Sequence, residues 1–169
     1  GGISINDAIT LSDNTSFLRT LTPATGTGRI AVNANVTTTD NADLTLRGAY
    51  ASGANADVGV DVQANLNAAR DLTIESADDF VTGSGTTLTA GRDVTIDANN
   101  TVTIDSDVTA GRDITISKNN SDALTIAANR TLDAGNDILL TAGNAGGSST
   151  LQMNTGSALE ADGDITLRA

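Results

Sequence analysis

Carboxylates that recur every 20 to 28 residues are the side chains of this sequence best suited to chemistry. They lie in a repeated phrase, clearest where TAGRDVTIDANN at 89–100 is followed by TAGRDITISKNN at 109–120, with nine of twelve positions identical. Looser copies extend the series to six aspartates: Asp43, Asp71, Asp93, Asp113, Asp137 and Asp164. We expect no cofactor; calcium is the one alternative that this pattern suggests, because Ca²⁺ prefers oxygen ligands. The candidate calcium column consists of Asp71, Asp93, Asp113 and Asp137.

A structural role for the same aspartates competes with calcium binding. Like charges about 4.8 Å apart repel by about 1 kcal/mol in water, so something must offset that repulsion. Each aspartate follows a turn such as Gly-Arg or Gly-Asn, where its carboxylate can accept hydrogen bonds from backbone N–H groups. Arg70, Arg92 and Arg112 precede three of the aspartates and are expected to be their counter-charges.

Two acid pairs, Asp78/Asp79 and Asp105/Asp107, are the remaining candidates for catalysis. Glycoside hydrolysis uses two carboxylates in a cleft, usually with aromatic platforms for the sugar, and this chain has only three aromatic residues. Both pairs lie in turn-like sequence, where solvated surface acids are expected. Without histidine or cysteine, nucleophilic mechanisms assisted by an imidazole are excluded. We therefore expect a protein that is not an enzyme, with a polysaccharide lyase as the last alternative.

The repeated phrase predicts a β-strand with one buried face. Its first and third residues after the aspartate are aliphatic in every copy, and alternate residues of a strand share one face. Ala8-Ile9-Thr10-Leu11 is a candidate seventh copy. We expect these residues to stack in two columns of a hydrophobic core. The predicted core ladder is Leu72, Val94, Ile114, Ile138 and Ile165 in one column and Ile74, Ile96, Ile116, Leu140 and Leu167 in the other.

Two further apolar stretches separate successive copies of the phrase. One is a short alternating strand such as Val102/Ile104, and the other centres on an aliphatic residue five positions before the aspartate, such as Leu88. Three inward-facing stretches joined by turns predict three walls, and stacked repeats of this kind form a parallel β-helix. The predicted fold is all-β, with about six to seven coils of roughly 20–28 residues. We interpret residues 1–169 as one solenoid segment of a much longer repetitive protein.

Three stretches break the period of the repeat. Residues 13–28 are predicted to form a loop over one wall, and residues 78–85 an irregular turn. Residues 142–149 are rich in glycine and alanine and predict a flexible loop. The stretches 13–28 and 142–149 are alternative binding loops, because loops on a rigid scaffold often contact partners. The turn asparagines Asn99/Asn100 and Asn119/Asn120 are predicted to form a stabilising ladder.

Charge and composition exclude several classes of function. The net charge is −12, and Lys118 is the single lysine. Nucleic acid is bound by basic groups that neutralise phosphates, so a nucleic-acid partner is not expected. No stretch approaches the ~20 apolar residues of a membrane helix, so membrane insertion is not expected either. The absence of cysteine excludes disulfides and cysteine metal sites.

The phrase Ala-Gly-Arg-Asp-[Val/Ile]-Thr-Ile, with its relatives AGNDILL at 134–140 and DGDITL at 162–167, resembles the repeats of filamentous haemagglutinin-type exoproteins. These are large bacterial adhesins exported by two-partner secretion, and the resemblance covers about residues 40–169. It implies a right-handed parallel β-helix shaft. It also implies export, unfolded, through an outer-membrane two-partner secretion transporter, and a role in attachment, aggregation or biofilm. The implied location is the bacterial cell surface or the extracellular space.

The expected function is therefore a non-enzymatic shaft segment of a secreted, filamentous cell-surface adhesin. Its expected partners are the transporter and a host or bacterial surface receptor or polysaccharide. One alternative is a self-assembling extracellular fibre whose subunits stack end to end. Another is the shaft of a contact-dependent toxin exoprotein, because such proteins share the same shaft repeats.

Overall fold

A computed structural model describes residues 2–12, 15–19, 28–48, 59–120, 122–143 and 148–169, with backbone alone for 15–19. The described chain is all-β and winds through seven coils of three parallel strands each. It is a parallel β-helix, as the repeat predicts. The described residues include no helix that is long and apolar enough to cross a membrane.

Each coil contributes three strands in the same order. The first four coils contain β1 (Ile3–Ile5), β2 (Ile9–Leu11) and β3 (Thr15–Arg19); β4 (Ile30–Val32), β5 (Val36–Thr38) and β6 (Asp43–Gly48); β7 (Val60–Val62), β8 (Leu66–Ala68) and β9 (Leu72–Ser76); and β10 (Phe80–Thr82), β11 (Thr86–Ala90) and β12 (Val94–Ala98). The last three contain β13 (Val102–Ile104), β14 (Ser106–Ala110) and β15 (Ile114–Lys118); β16 (Ala123–Ile126), β17 (Thr131–Ala134) and β18 (Ile138–Ala142); and β19 (Thr150–Met153), β20 (Ala158–Ala161) and β21 (Ile165–Arg168).

Equivalent strands of successive coils pair in parallel and build three walls. Wall A runs from β1 to β19, wall B from β2 to β20, and wall C from β3 to β21, each with seven strands. The register repeats without a slip, so Val94 of wall C pairs with Leu72 on one side and Ile114 on the other. Because the register is constant, each inward position becomes a continuous column of side chains.

The core ladder predicted for wall C is confirmed for eight of its ten members. Leu72, Ile74, Val94, Ile96, Ile114, Ile116, Ile138 and Leu140 are at most 1% exposed. The prediction of burial is wrong for Ile165 and Leu167, which are 45% and 50% exposed. Both are in register with Ile138 and Leu140, but they lie on the seventh coil, and no described strand covers the other side of that coil.

Two strand assignments at the start of the chain are corrected by the structure. Ile9–Leu11 is not a copy of the wall C phrase, because it pairs with Val36–Thr38 in wall B. The first strand of wall C is Thr15–Arg19, inside the stretch predicted to be a loop, and it pairs with β6. The loop prediction for 13–28 is therefore wrong at 15–19, while 13, 14 and 20–27 lie outside the described residues.

Phe80 overturns the prediction of an irregular turn at 78–85. Phe80–Thr82 is a strand of wall A that pairs with β7 and β13. The Phe80 ring is fully buried, in register with Val60 and Val102. The aromatic side chain fills a column position that holds valine in the adjacent coils. The connections therefore lie on either side of this strand, at 77–79 and 83–85.

The corners between the walls differ in length. The connections from wall A to wall B have one to four residues, and those from wall B to wall C have three or four. Those from wall C to wall A range from three residues, as at 77–79, to eleven at 49–59. The variable length of the repeat therefore arises almost entirely at the corner between walls C and A.

Candidate functional site: the aspartate column

The predicted aspartate column lies along the corner where wall B leads into wall C. Each strand of wall C from β9 to β21 begins directly after one of these aspartates, whose side chains point away from the core. Parallel pairing places the aspartates of successive coils one above another. The structure thus brings together all four members of the candidate calcium column.

Arginines from the following coil bind three of the carboxylates. The Nε atom of Arg92 donates to Oδ1 of Asp71 at 2.7 Å, and the Nε atom of Arg112 donates to Oδ1 of Asp93 at 2.8 Å. In both pairs Nη2 donates to the second carboxylate oxygen, so each pair is bidentate. Arg70 holds Asp43 in the same way, with an Nε–Oδ1 distance of 2.6 Å. The prediction that these arginines are counter-charges is confirmed.

Backbone donors complete the coordination of each carboxylate. Oδ1 of Asp71 accepts a hydrogen bond from the N–H of Asp93 at 3.3 Å, and Oδ1 of Asp93 accepts one from the N–H of Asp113 at 3.4 Å. The same bond joins Asp137 to Asp113 at 3.2 Å and Asp164 to Asp137 at 2.8 Å. Each aspartate except Asp164, which lies on the last coil described, therefore caps the N–H of its equivalent in the next coil.

The column changes character at its sixth coil, where asparagine replaces arginine. Asn136 occupies the position before Asp137, and its Nδ2 donates to Oδ1 of Asp113 at 2.8 Å. Arg112 also lies 3.0 Å from Oδ2 of Asp113. Asp137 accepts the Asp164 N–H, and no arginine pairs with it among the described residues. Positive charge is therefore concentrated in the first half of the column.

These contacts lower the pKa of two carboxyl groups. The hydrogen bond from Arg70 is the main cause at Asp43, and partial burial opposes it. At Asp113 the hydrogen bond from Asn136 is the main cause, with further help from the Asp137 N–H and from Arg112. Hydrogen bonds to a charged carboxylate favour the ionised form. Both groups therefore stabilise the folded chain in the ionised state.

The geometry of the column suits ion pairing better than calcium. Guanidinium groups lie against Asp71 and Asp93 and take up oxygen lone pairs that a cation would need. The described residues contain no group of three or more His, Cys, Asp or Glu side chains that could hold a metal ion. Calcium binding by this column stays a prediction. The positive charge of the arginines opposes it, because the arginines would repel a cation bound to the same carboxylates.

The two acid pairs have structural partners rather than a shared cleft. Asp105 accepts a hydrogen bond from Nε of Arg130 at 2.8 Å, and Asp107 accepts the N–H of Thr131 at 3.0 Å. Asp79 likewise accepts the N–H of Thr101 at 2.9 Å. The interpretation of these carboxylates as solvated is confirmed for Asp107, which is exposed, and is wrong for Asp78, which is buried, while Asp79 and Asp105 are half-buried. Each of the four also binds a donor from the next coil.

The asparagine ladder is confirmed at one of its two positions. Nδ2 of Asn120 donates to Oδ1 of Asn100 at 2.7 Å, and Asn100 in turn donates to Asp78. Asn119 does not bind Asn99 but donates to Oδ1 of Asp97 at 2.9 Å. Side chains of successive coils are thus linked at this corner as well.

Two features of these corners were not predicted from the sequence. A Cβ added to Gly91, Gly111 or Gly135 would meet the backbone carbonyl oxygen of the coil before it, well inside 3.0 Å. Those glycines have ordinary φ angles, so the requirement comes from the neighbouring coil. The second feature is Lys118, whose side chain is fully buried. Its phase, two residues after the inward Ile116, is the signal that predicts an inward side chain.

Both candidate binding loops, 13–28 and 142–149, include residues of connections from wall C to wall A. The connection 20–29 follows β3, and the connection 143–149 follows β18. Residues 20–27 and 144–147 lie outside the described part of the chain. A third long connection, 49–59, follows β6 at the same corner. The strand ends that these connections join therefore lie along the corner between walls C and A, while the aspartate column occupies the corner between walls B and C.

Comparison of this chain with protein-family models, curated proteins and solved structures finds no match. The class of the protein rests on its own geometry. It is a parallel β-helix with three walls, whose corners are held by side-chain and backbone hydrogen bonds between coils.

Proposed function

We propose that this chain is a shaft segment of a secreted, filamentous adhesin on the bacterial cell surface, with no enzymatic role. The observation that carries the proposal is the set of three uninterrupted seven-stranded parallel walls. A solenoid of this kind derives its stability from contacts between neighbouring coils and can be extended by adding coils. At the strand spacing of about 4.8 Å, seven coils form a rod roughly 30 Å long.

The corners support a mechanical role for the rod. Bidentate arginine–aspartate pairs and backbone hydrogen bonds to carboxylates link successive coils along the B-to-C corner. Bending the rod would stretch these links together with the strand ladders. The resemblance of the repeated phrase to filamentous haemagglutinin-type exoproteins supports an extracellular location. In this proposal an outer-membrane transporter exports the chain, and the shaft holds a more distal binding region away from the cell.

Binding of a surface receptor or polysaccharide by the shaft itself is favoured by the placement of its long connections. The connections 20–29, 49–59 and 143–149 all join wall C to wall A, so the strand ends that they link lie along one corner. Insertions on one face of a solenoid often form its binding face. Replacing each long connection by the three-residue turn at 77–79 tests this role. Unchanged binding to cells and glycans by the triple replacement would exclude it.

End-to-end assembly into fibres is an alternative that can be tested at the seventh coil. Three apolar side chains of the seventh coil are exposed, Met153 at 36%, Ile165 at 45% and Leu167 at 50%. Replacing Ile165 and Leu167 by charged residues is expected to shorten fibres if they assemble through this coil. Fibre lengths measured by electron microscopy distinguish this candidate from a shaft within a single chain.

The decisive experiment is immunogold electron microscopy of intact cells that produce the natural full-length protein. Antibodies raised against residues 59–120 mark the tightest coils. Thin rods that stand off the surface, each one chain long, are the expected result. Fibres much longer than one chain would favour end-to-end assembly. Gold confined to the cytoplasm would contradict the proposal.

A further inference from the structure

Lys118 is the single lysine of the chain, and its side chain is buried in the core of the solenoid. It occupies the last inward position of β15, at the end of wall C. The residues at the same position in the adjacent coils are Ala98 and Ala142. Ser76 and Gly48 continue that column toward the N-terminus. A long cationic side chain therefore lies in a column of otherwise small residues.

The amine of Lys118 has few polar partners. Nζ donates a hydrogen bond to the backbone carbonyl of Asn120, two residues along the same chain. No carboxylate forms an ion pair with it among the described residues. Burial lowers the pKa of Lys118 below its ordinary value, and the charge of Asp122 opposes that change in part. A buried cation without a paired anion destabilises the folded state, so stability alone does not explain this residue.

The hydrophobic pattern of wall C does not distinguish one strand from another. β12 presents Val94 and Ile96 to the core, and β15 presents Ile114 and Ile116. The two segments lie within repeats that share nine of twelve residues. Strands of the same sequence readily stack in parallel register, which is how chains aggregate through exposed strands. In the folded solenoid β15 is paired on both sides, with β12 and β18, so it can meet β15 of a second molecule only before these coils have formed.

We propose that Lys118 prevents this like-with-like stacking. In the native fold each neighbour of Lys118 is alanine, which leaves room for the long side chain. Pairing of β15 with a second β15 would put two inward-facing lysines in adjacent coils, about 4.8 Å apart at the strand spacing. Their charges would repel in a region shielded from water, where screening is weak. Inward-facing charges are one means by which β-proteins avoid edge-to-edge association.

Refolding at increasing protein concentration tests the proposal. Lys118→Ala matches the adjacent coils, and Lys118→Met keeps the bulk of the side chain without its charge. The 169-residue chain is unfolded in urea, diluted at concentrations from roughly 1 to 100 μM, and its monomer fraction is measured by light scattering after size exclusion. We expect wild type to stay monomeric while both variants lose monomer at least about two-fold at the highest concentration.

Equal monomer yields for wild type and both variants would overturn the proposal. Loss of monomer in Lys118→Ala alone would also overturn it, because a cavity rather than the missing charge would then be responsible. The comparison remains valid if one substitution lowers stability, since the two variants differ in volume and share the loss of charge.

A second test builds the lysine–lysine encounter into one chain. Ala98→Lys places two lysines in adjacent coils, and Ala98→Met is its uncharged control. We expect Ala98→Lys to have a lower Tm than Ala98→Met, and the double variant Ala98→Lys with Lys118→Ala to recover it. Equal Tm values for Ala98→Lys and Ala98→Met would show that adjacent buried lysines are tolerated, which contradicts the proposal.

Discussion

Replacing Gly111 by alanine tests whether the tight corner between walls B and C limits the fold. An added Cβ would lie 2.2 Å from the carbonyl oxygen of Gly91 and 3.0 Å from its carbonyl carbon. Both are backbone atoms, so no side-chain rotation relieves the clash. The N–H groups of Gly111 and Arg112 donate to the carbonyl oxygens of Ala90 and Arg92 at 3.1 and 2.7 Å, which holds the coils together.

The expected magnitude follows from the two contributions to the free energy of unfolding. Overpacking of a tight site costs about 1–3 kcal/mol. Separating the two coils enough to relieve the clash also weakens one backbone hydrogen bond, worth about 1 kcal/mol. We therefore expect Gly111→Ala to lower the free energy of unfolding by about 2–4 kcal/mol. Glycine-to-alanine changes at unstrained sites instead stabilise a protein by about 0.4–1 kcal/mol. The sign of the change is thus decisive.

Urea unfolding followed by circular dichroism measures the effect, with Thr109→Ala as the control. Thr109 is exposed on wall B, two residues before Gly111, and its replacement should change stability by less than about 0.5 kcal/mol. Hydrogen exchange adds a local reading, because loss of protection should centre on the coils of β11 and β14. A Gly111→Ala variant as stable as wild type, or more stable, would refute the steric explanation.

Four further outcomes are expected. Ile96→Asp should unfold the neighbouring coils, because it buries an unpaired charge, while Thr95→Ala should be nearly silent; equal thermal melts would contradict this. Ser106→Ala should raise stability by about 1 kcal/mol in urea unfolding, since the buried Ser106 hydroxyl has no hydrogen-bond partner among the residues that the structure describes. The lowered pKa of Asp113 contributes stability that is present above its ordinary value of 3.8 and is lost as pH falls through the lower folded-state pKa. Asp113→Asn should therefore lose less stability than wild type on acidification through that range, which thermal melts recorded at decreasing pH will measure. Titration calorimetry with millimolar Ca²⁺ should give no binding heat, because arginines already bind carboxylates such as that of Asp71; saturable heat would restore the calcium interpretation.

The periodicity of the sequence was sufficient to predict the fold class and most of the buried residues of wall C. Alternation of aliphatic and polar residues in a phrase such as Val94 to Ile96 is a local property, so it can be read without knowing what each strand contacts. The same holds for the arginine–aspartate pairs. Arg92 and Asp93 are adjacent in sequence, and stacking of repeats necessarily brings each arginine near the aspartate of the coil before it.

The sequence could not identify which wall a strand joins. Ile9–Leu11 has the alternation of the wall C phrase, yet it lies in wall B. An inward-outward pattern states which face of a strand is buried, and it is the same for every wall. The assignment depends on corner lengths and on pairing with the next coil, which made Thr15–Arg19 the first strand of wall C. Phe80 was also misassigned, because its acidic and glycine-rich neighbours are typical of a turn and its strand has only three residues.

The sequence by itself therefore determined that the chain is a stacked repeat with aliphatic columns and a line of aspartates, because those properties repeat along the chain. Apart from the arginine–aspartate pairs, only the tertiary structure decided what the residues at the corners and at the ends of the strands contact. The carbonyl oxygen that excludes a side chain at Gly111 and the alanines beside Lys118 all come from neighbouring coils. Such contacts depend on how about twenty intervening residues close each coil, and local sequence preferences do not encode that closure.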